Sequence, residues 1–476
     1  MSSILSTLST MGNGLLAFEK SLEATQNNVS NSSTAGYARQ APNLQAMAFD
    51  PSTGTLGGVR SNGLISSRDE YAENAVRNQA SAQGNFTQQA SNLSAINSLF
   101  DITGNSGIPA SLTRLMQNFS AWATSPGSSS ARQAVIDSAN QLSASFKQTA
   151  SELNKVATGI GQSLKDTTSQ INALAQKLAA INQARAGGGN ADPSVDAELH
   201  STLEELSSLT SVSVLYQPDG TVNVFAGGQT PLVMNDKAFA ISVSDSIPAG
   251  SNASAPPGAA VFDANGTDVT SQISGGKLGG LLQVRNQVLP SLQGDSTQPG
   301  QLNQLAQSIA DRVNGILTSG LSSSGPPPVP GVPLFTYDAA NASQAAATFS
   351  VDQNVTANSL AAISTGTSGG SNGNALQLAG LSTSTDPADQ IGGLSYLDFF
   401  AQMASTIGTS YSSAQANQTR STQLLTQAQS MRSDISGVSL DHEAAQLIEL
   451  QRGYQAVSKV VSVINDLAQS LLDMVK

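Results

Sequence analysis

Both ends of the 476-residue chain carry a row of apolar residues spaced as on one face of a helix. In the N-terminal segment these residues follow one another at intervals of four and three, and they are Ile4, Leu8, Met11, Leu15, Phe18 and Leu22. Such spacing is typical of a helix that packs along a second helix. It predicts a helix over residues 4–29, about 39 Å long, followed by the polar run Ser30 to Thr34.

The C-terminal segment repeats this pattern. Its row alternates intervals of three and four and comprises Leu447, Leu450, Tyr454, Val457, Val461, Ile464, Ala468, Leu471 and Val475. Ser439, followed by His442 and Glu443, forms an imperfect capping box that starts a helix near Leu440. Two long helices with apolar rows at opposite ends of one chain most simply pair with each other, and this pairing is the central prediction.

The middle of the chain changes from a helical to a strand period and back. Helical spacing covers the ranges 70–100, 109–124, 131–185, 194–210, 278–289, 301–320 and 394–431. Alternating apolar residues on both sides of the turn Pro218-Asp219-Gly220 predict a β-hairpin over 212–226. A second, weaker β region is expected over 334–380.

These segments predict an α+β fold, with a long-helix body built from the N- and C-terminal segments and small β domains inserted in the middle of the chain. The predicted ranges are 1–40 and 433–476 for the paired terminal helices, 41–210, 275–322 and 390–432 for the helical body, 211–274 for the first β module and 323–389 for the second β module.

Charge composition excludes several classes of partner. Charged residues are only 11% of the chain, the net charge is −12, and no cluster of Lys or Arg occurs. A nucleic-acid binder needs such a cluster, as does a protein held on anionic lipid. No apolar run approaches the roughly 18 residues of a membrane span, and the N-terminus does not resemble a cleaved secretory signal. We therefore expect neither nucleic acid nor membrane as a partner.

The sequence contains no convincing catalytic or metal-binding set. Cysteine is absent, which excludes disulfides and thiolate chemistry, and the only histidines are His200 and His442. Both lie among acidic residues and are expected on solvated helix surfaces, whereas the single tryptophan, Trp122, is expected in the core. Gly12-Asn13-Gly14 follows no strand and cannot begin a dinucleotide-binding fold. We expect no enzyme activity, no metal and no cofactor.

Two terminal motifs are more specific than any of the candidate catalytic or binding residues considered above. They are Asn27-Asn28-Val29-Ser30-Asn31-Ser32-Ser33-Thr34-Ala35-Gly36-Tyr37-Ala38-Arg39-Gln40 and Gln451-Arg452-Gly453-Tyr454-Gln455-Ala456. Together they resemble the terminal motifs of the flagellar rod, hook and hook-associated axial proteins of bacteria. The chain departs from the usual pattern at Ser33, Ala35 and His442, substitutions that are conservative for a turn or a cap.

Further residues favour one branch of this family. Arg39-Gln40, the segment Gly437 to Asp441, and the internal Gly276-Lys277-Leu278-Gly279-Gly280-Leu281-Leu282 resemble the hook-associated subunit at the hook–filament junction more than rod or hook subunits. The resemblance covers roughly the first and last 200 residues. It implies a secreted structural subunit of the extracellular bacterial flagellum.

The resemblance also implies partners and an export route. Family members are exported unfolded by the flagellar type III apparatus and escorted by a cytoplasmic chaperone that binds the C-terminal region. They then assemble as a ring of copies between the hook protein and the next hook-associated junction protein. Terminal helices of this kind have little core of their own, so we expect about the first and last 35 residues to become ordered only on assembly.

The expected assembly interface combines the apolar rows with the motif residues. It comprises Leu8, Leu15, Phe18, Leu22, Asn28, Asn31, Gly36, Tyr37, Arg39, Gln40, Leu447, Leu450, Tyr454, Val457, Val461, Ile464 and Leu471. By motif, the asparagines cap the end of the helix, Gly36 allows a turn, and Tyr37 and Arg39 offer hydrogen bonds to a neighbouring copy.

Two other interpretations remain open from sequence. The chain resembles an axial subunit of another kind, namely a hook, rod or flagellin-like protein, in the pattern of its terminal helices. Alternatively, it is a surface adhesin or fibre protein in which the β insertions carry the function.

Overall fold

Long helices dominate the chain, as the apolar spacing predicts. The structure is a computed structural model that describes residues 2–48, 57–101, 106–187, 192–245, 258–295, 298–323, 325, 327–365 and 371–474, without the side chains of 2–5, 471 and 472. The predictions for the side chains of Ile4 and Leu471, and for Val475, lie outside this description. The helices are α1 (Ser2–Ser30), α2 (Glu70–Asn97), α3 (Gly107–Thr124), α4 (Ser129–Ala186), α5 (Pro193–Leu209), α6 (Gly276–Gln283), α7 (Leu289–Gln293), α8 (Gln301–Thr318), α9 (Ala345–Thr348), α10 (Gly373–Gly380), α11 (Tyr396–Ser436) and α12 (Leu440–Met474).

The strands form small antiparallel sheets between these helices. They are β1 (Gln40–Met47), β2 (Gly58–Ser66), β3 (Val212–Tyr216), β4 (Val222–Ala226), β5 (Thr230–Met234), β6 (Lys237–Ala238), β7 (Ser242–Asp245), β8 (Ala259–Phe262), β9 (Gly320–Ser323), β10 (Val329–Pro330), β11 (Phe335–Thr336), β12 (Ser350–Val351) and β13 (Ile363–Ser364). The order β3-β4-β5-β6 makes the one four-stranded sheet of the described residues, and its first hairpin pairs Val214 with Val224. The predicted α+β architecture is confirmed.

The chain divides into two compact units, with three boundaries inside α2, α4 and α11 and a fourth between β6 and β7. Unit 1 comprises residues 1–83, 171–240 and 421–476, and unit 2 comprises residues 84–170 and 241–420. Unit 1 therefore contains both terminal helices, the β1–β2 hairpin, α5 and the four-stranded sheet. Unit 2 contains most of α4, all of α3 and α8, and the smaller β elements.

Two stretches differ from the sequence-based expectation. Residues 41–47 and 58–66, expected to be part of a helical body, belong to the antiparallel strands β1 and β2, which lie against α1. A β-carbon built on Gly58 would lie 2.9 Å from Cγ2 of Thr10, so tertiary packing rather than local alternation holds these strands. In the described part of the second β region, 334–365 and 371–380, the strands are only two residues long and α9 and α10 lie among them.

Unit 2 has a conventional aromatic core. Phe119 and Trp122 of α3 are fully buried, and the Phe146 ring of α4 lies 5.0 Å from that of Phe349, which stacks on Phe335 at 4.7 Å. Burial of Trp122 confirms its expected core position. Large buried rings give this unit the apolar area that stabilises a domain on its own.

The internal glycine motif has a packing role in unit 2. A β-carbon on Gly279 would lie 2.5 Å from the Ser274 carbonyl carbon, and one on Gly280 would lie 2.4 Å from the Asn85 carbonyl oxygen. Gly280 therefore lets the backbone of α6 approach α2 directly, and Gly279 lets it lie against the segment that precedes α6. The Asn85 amide reinforces the contact by donating to the Ser274 carbonyl at 2.9 Å.

Candidate assembly site

The two terminal helices pair, as the apolar rows predict. Helix α1 packs along α12 within unit 1. At the centre of the pair the Phe18 ring lies on Gly453, where an added β-carbon would lie 2.5 Å from Cε1 of Phe18. The single glycine in the C-terminal row therefore makes room for the largest side chain of the N-terminal row.

The pairing leaves the apolar rows half covered. The predicted seam residues Leu8, Leu15, Phe18, Leu22, Leu447, Leu450, Tyr454, Val457, Val461 and Ile464 are all only partly buried. A second apolar row on α12 is open to solvent, with Val463 53% and Leu467 57% exposed, and Leu16 of α1 is 57% exposed. A two-helix pair covers one side of each seam, so apolar surface remains for further helices.

Asn28 is the polar centre of the pair. Its amide nitrogen donates to the Gln40 carbonyl at 2.9 Å and to Oε2 of Glu443 at 3.1 Å. Its carbonyl oxygen accepts from the Gln40 backbone nitrogen at 2.8 Å and from the Tyr37 hydroxyl at 3.0 Å. Since Asn28 is only 1% exposed, these four bonds satisfy a buried amide that otherwise destabilises the fold.

Glu443 joins the start of α12 to the segment that follows α1. Its carboxylate is fully buried and accepts from Nε of Arg39 at 2.6 Å, while Nη2 of Arg39 donates to Gln446 at 3.1 Å. Burial, and then the negative charge of Glu443, raises the pKa of the nearby Tyr37 hydroxyl to about 12. Tyr37 therefore remains a protonated donor at physiological pH.

A buried serine closes the base of the β1–β2 hairpin. The Ser436 carbonyl accepts from the Arg39 nitrogen at 2.8 Å, and its hydroxyl donates to the Ser67 carbonyl at 3.1 Å and accepts from the Asp69 nitrogen at 3.3 Å. The Ser67 nitrogen donates in turn to the Arg39 carbonyl at 2.8 Å. We call these four residues the Ser436 clamp, and it holds three chain segments together.

Gly36 lies against the backbone of α5. Its φ of +75° is in the left-handed region, and a β-carbon there would lie 2.3 Å from the Ala197 carbonyl oxygen. Both the conformation and the close approach require glycine. The turn after α1 is therefore held on α5 by shape as well as by hydrogen bonds.

The structure brings most of the predicted site residues together. Asn28, Tyr37, Arg39 and Gln40 form one hydrogen-bonded group, and Asn31 caps α1 by donating to the Asn27 carbonyl at 3.0 Å. Arg39 and Tyr37 have partners within the chain, and their contact with a neighbouring copy stays a prediction.

Sequence reasoning did not identify Glu443 or Ser436 as site residues. Ser439 caps α12 as predicted, with its hydroxyl accepting from the His442 nitrogen at 3.4 Å. Glu443, however, turns away from the cap toward Arg39. An acidic residue one turn into a helix is an ordinary capping signal. Only its ion pair with Arg39, which is distant in sequence, marks Glu443 as a site residue.

The two histidines differ in their surroundings. His442 is exposed, as expected for a solvated helix start. The expectation for His200 was wrong, because its side chain is 3% exposed and stacks on the Tyr216 ring at 6.3 Å. The polar face of α5 meets other charged side chains instead of water.

Metal-holding clusters and membrane-spanning helices are absent from the described part of the chain. No group of three or more His, Asp or Glu side chains there is arranged to hold a metal ion. Among the same residues, no helix combines the length and the apolar character that crossing a bilayer requires.

Comparison with known proteins gives consistent matches. The family model described as the flagellar hook-associated protein FlgK helical domain matches residues 93–335. A second model, the C-terminal region of flagellar basal body rod FlgEFG proteins, matches residues 423–474, which include the C-terminal part of α11 and all of α12.

Similar proteins include two curated relatives and one solved structure. Flagellar hook-associated protein 1 of Bacillus subtilis (strain 168) is 24% identical over 512 residues, which cover 99% of each chain. The protein of the same name from Salmonella typhimurium is 27% identical over 321 residues, covering 66% of this chain and 56% of its own. The flagellar hook junction protein FlgK from Burkholderia pseudomallei shares the fold, with a TM-score of 0.66 at 16% identity over 76% of this chain and 100% of its own. Because the helical-domain model covers just over half of the residues, the chain belongs to the family of flagellar hook-associated protein FlgK.

Proposed function

We propose that this chain is a structural subunit that joins the hook of the bacterial flagellum to its filament and assembles through its terminal helices. The observation that carries the proposal is the apolar surface left uncovered by the α1–α12 pair. Val463 and Leu467 continue the helical spacing of a seam but are more than half exposed. Their burial against further copies stabilises a ring by the hydrophobic effect.

The proposed partners follow from family membership and from this surface. They are other copies in a ring, the hook protein on one side, the next hook-associated protein on the other, and a cytoplasmic chaperone that binds the C-terminal region before export. The proposed location is the extracellular flagellum. Segments 1–40 and 433–476 would form the inner tube, with the helical body around them and the β modules outside.

A structural rather than catalytic role is part of the proposal. The hydrogen bonds of the terminal site satisfy one another, with Asn28, Arg39 and Glu443 each paired inside the chain. Such closed pairing fits a site that fixes geometry, because a catalytic centre needs a group free to bind the reacting atoms.

The test is deletion of the gene in its host, followed by complementation. The expected phenotype is an intact hook without a filament, with unpolymerised flagellin secreted into the medium and restored motility on complementation. Normal filaments in the deletion strain would refute the junction role. Loss of the hook itself would point to an earlier axial subunit instead.

A further inference from the structure

Unit 1 contains a second charged group that the terminal site does not use. On α5, Asp196, His200 and Glu204 are spaced four residues apart and therefore share one face. This face meets arginines and acids from the start of α2, the end of α4 and the end of α11. We call the group the Glu73 cluster, and it comprises Arg68, Glu73, Arg77, Arg185, Asp196, His200, Glu204 and Arg432.

Glu73 is shared by two arginines. Its Oε1 lies 2.5 Å from Nη1 of Arg68, and its Oε2 lies 3.3 Å from Nη1 of Arg432. The glutamate is only 1% exposed. A buried carboxylate between two guanidinium groups holds both in place, and its removal leaves the buried Arg68 and the partly exposed Arg432 without their common partner.

Each of these arginines leads to one of two chain segments, the turn after α1 and the end of α11, which lie at the same end of the terminal helix pair. Nη2 of Arg68 donates to the Gly36 carbonyl at 2.6 Å, in the turn after α1, and to Asp196 of α5 at 2.8 Å. Arg432 bonds Glu204 of α5 at 2.7 Å, one turn before the Ser436 clamp. Between the turn and the end of α11 lies a polar cleft of about 260 Å³, which both arginines line.

We propose that Glu73 is a positioning residue: through Arg68 and Arg432 it fixes on α5 the turn after α1 and the end of α11, the two chain segments at one end of the α1–α12 pair. Its loss frees the orientation of the pair without unwinding the two helices, because their backbone hydrogen bonds and their seam do not involve it. The cleft gives the turn space in which to move once the arginines are released. That this positioning matters for the assembly of copies into a ring rests on the proposed function.

His200 makes this attachment sensitive to acid. Its ring nitrogens lie 3.9 Å from Glu73 and 3.8 Å from Asp196, and within the described residues its Nδ1 has no hydrogen-bond partner. The other charged groups around it are the cluster's four arginines and Glu204, and Tyr216 covers one ring face. Protonation adds a fifth positive charge and draws Glu73 and Asp196 away from Arg68.

The direction of the pH dependence follows from burial. Burial, followed by the positive charges of the four arginines, holds the pKa of His200 well below its usual 6.5. The attached state therefore contains neutral His200, and the open state takes up a proton as the pH falls below 6.5. The population of the open state should therefore rise by up to tenfold per pH unit. Between pH 7.5 and pH 5.0 the total increase should be about 30-fold.

The absence of cysteine allows a direct distance measurement on the full chain. Nitroxide labels on Ser30→Cys at the end of α1 and Ser208→Cys at the end of α5 are read by double electron–electron resonance at pH 7.5. We expect one narrow distance in the parent chain and a broad distribution in Glu73→Gln, with unchanged helical circular dichroism. Glu198→Gln is the matched control, since Glu198 lies on α5 and pairs with Lys177 in an exposed ion pair at 3.1 Å. A Glu73→Gln distribution as narrow as that of the control overturns the proposal.

A pH series keeps the proposal testable if Glu73→Gln does not fold. The labelled parent chain should broaden reversibly between pH 7.5 and pH 5.0, and His200→Gln should remove most of that change. A parent distribution that stays narrow to pH 5.0 overturns the proposal. Because these measurements use the free chain, they are independent of the complementation experiment, so failure of the positioning role and failure of the proposed function are distinguishable.

Discussion

The core of unit 2 and the terminal helix pair of unit 1 are both helical, but they are stabilised differently. In unit 2, Trp122, Phe119 and Phe146 are fully buried inside one chain. In the terminal pair the two aromatic seam residues, Phe18 and Tyr454, are only partly buried, and the row through Leu467 faces solvent. Unit 2 therefore carries its own stability, while the terminal pair depends on polar contacts at one end and on surface that it offers to other chains.

The sharpest test of this contrast is amide hydrogen exchange in the dilute chain. We expect residues 8–22 and 447–474 to exchange quickly and α3 and α4 of unit 2 slowly. With a local opening energy near zero against a global stability of about 5 kcal/mol or more, the rates should differ about a thousandfold or more. Equal protection in the two regions would mean that the terminal pair is stable without neighbours.

Truncation in the core of unit 2 should have the next largest effect. Phe146→Ala should lower the free energy of unfolding by about 3–5 kcal/mol, through lost burial and the cavity left behind. Trp122 lies in the same unit, so its fluorescence during urea unfolding reports this loss. The control is Tyr71→Ala, because Tyr71 is 88% exposed and its removal should change stability by less than about 0.5 kcal/mol.

Removal of the charge on Glu443 should have a smaller and local effect. Glu443→Gln leaves Arg39 without its counter-ion and should cost about 2 kcal/mol, since Arg39 can still reach water. Exchange should accelerate over residues 28–40 and at the start of α12, whereas urea unfolding followed by Trp122 should not change. Glu449→Gln, at an exposed position of the same helix, serves as control. A shift of the Trp122 transition would show that the two units unfold together.

Substitution in the exposed row should affect the free chain least. Leu467→Ser should change its stability by no more than about 0.5 kcal/mol, yet weaken self-association measured by sedimentation at rising concentration. Gln469→Ser, also exposed, should alter neither quantity. Self-association of Leu467→Ser equal to that of the parent chain would remove this row from the assembly surface.

Sequence reasoning succeeded where the signal is periodic and failed where it depends on distant partners. The terminal helices, their pairing and the β3–β4 hairpin follow from spacing that the structure reproduces within a few residues. The β1–β2 hairpin has little alternation and is held by α1 and the Ser436 clamp. Only the folded chain places these groups beside it.

The same limit explains the polar centres. The Asn-rich motif indicated that Asn28 and Gly36 matter, but their partners Glu443 and α5 are far away in sequence. His200 appeared solvated because its neighbours in sequence are polar. Which side of a polar helix faces the interior is set by the arginines that meet it, and these come from three other segments.

The Ser436 clamp has a consequence for how this family can vary in length. Because Arg39 and Ser67 are hydrogen-bonded to each other and to the same serine, the chain leaves the base of the terminal helix pair and returns to it at a single point. The excursion between them is therefore a modular insertion. A change in its length is expected to leave the register of the terminal helices unchanged, as long as its strands keep their packing on α1.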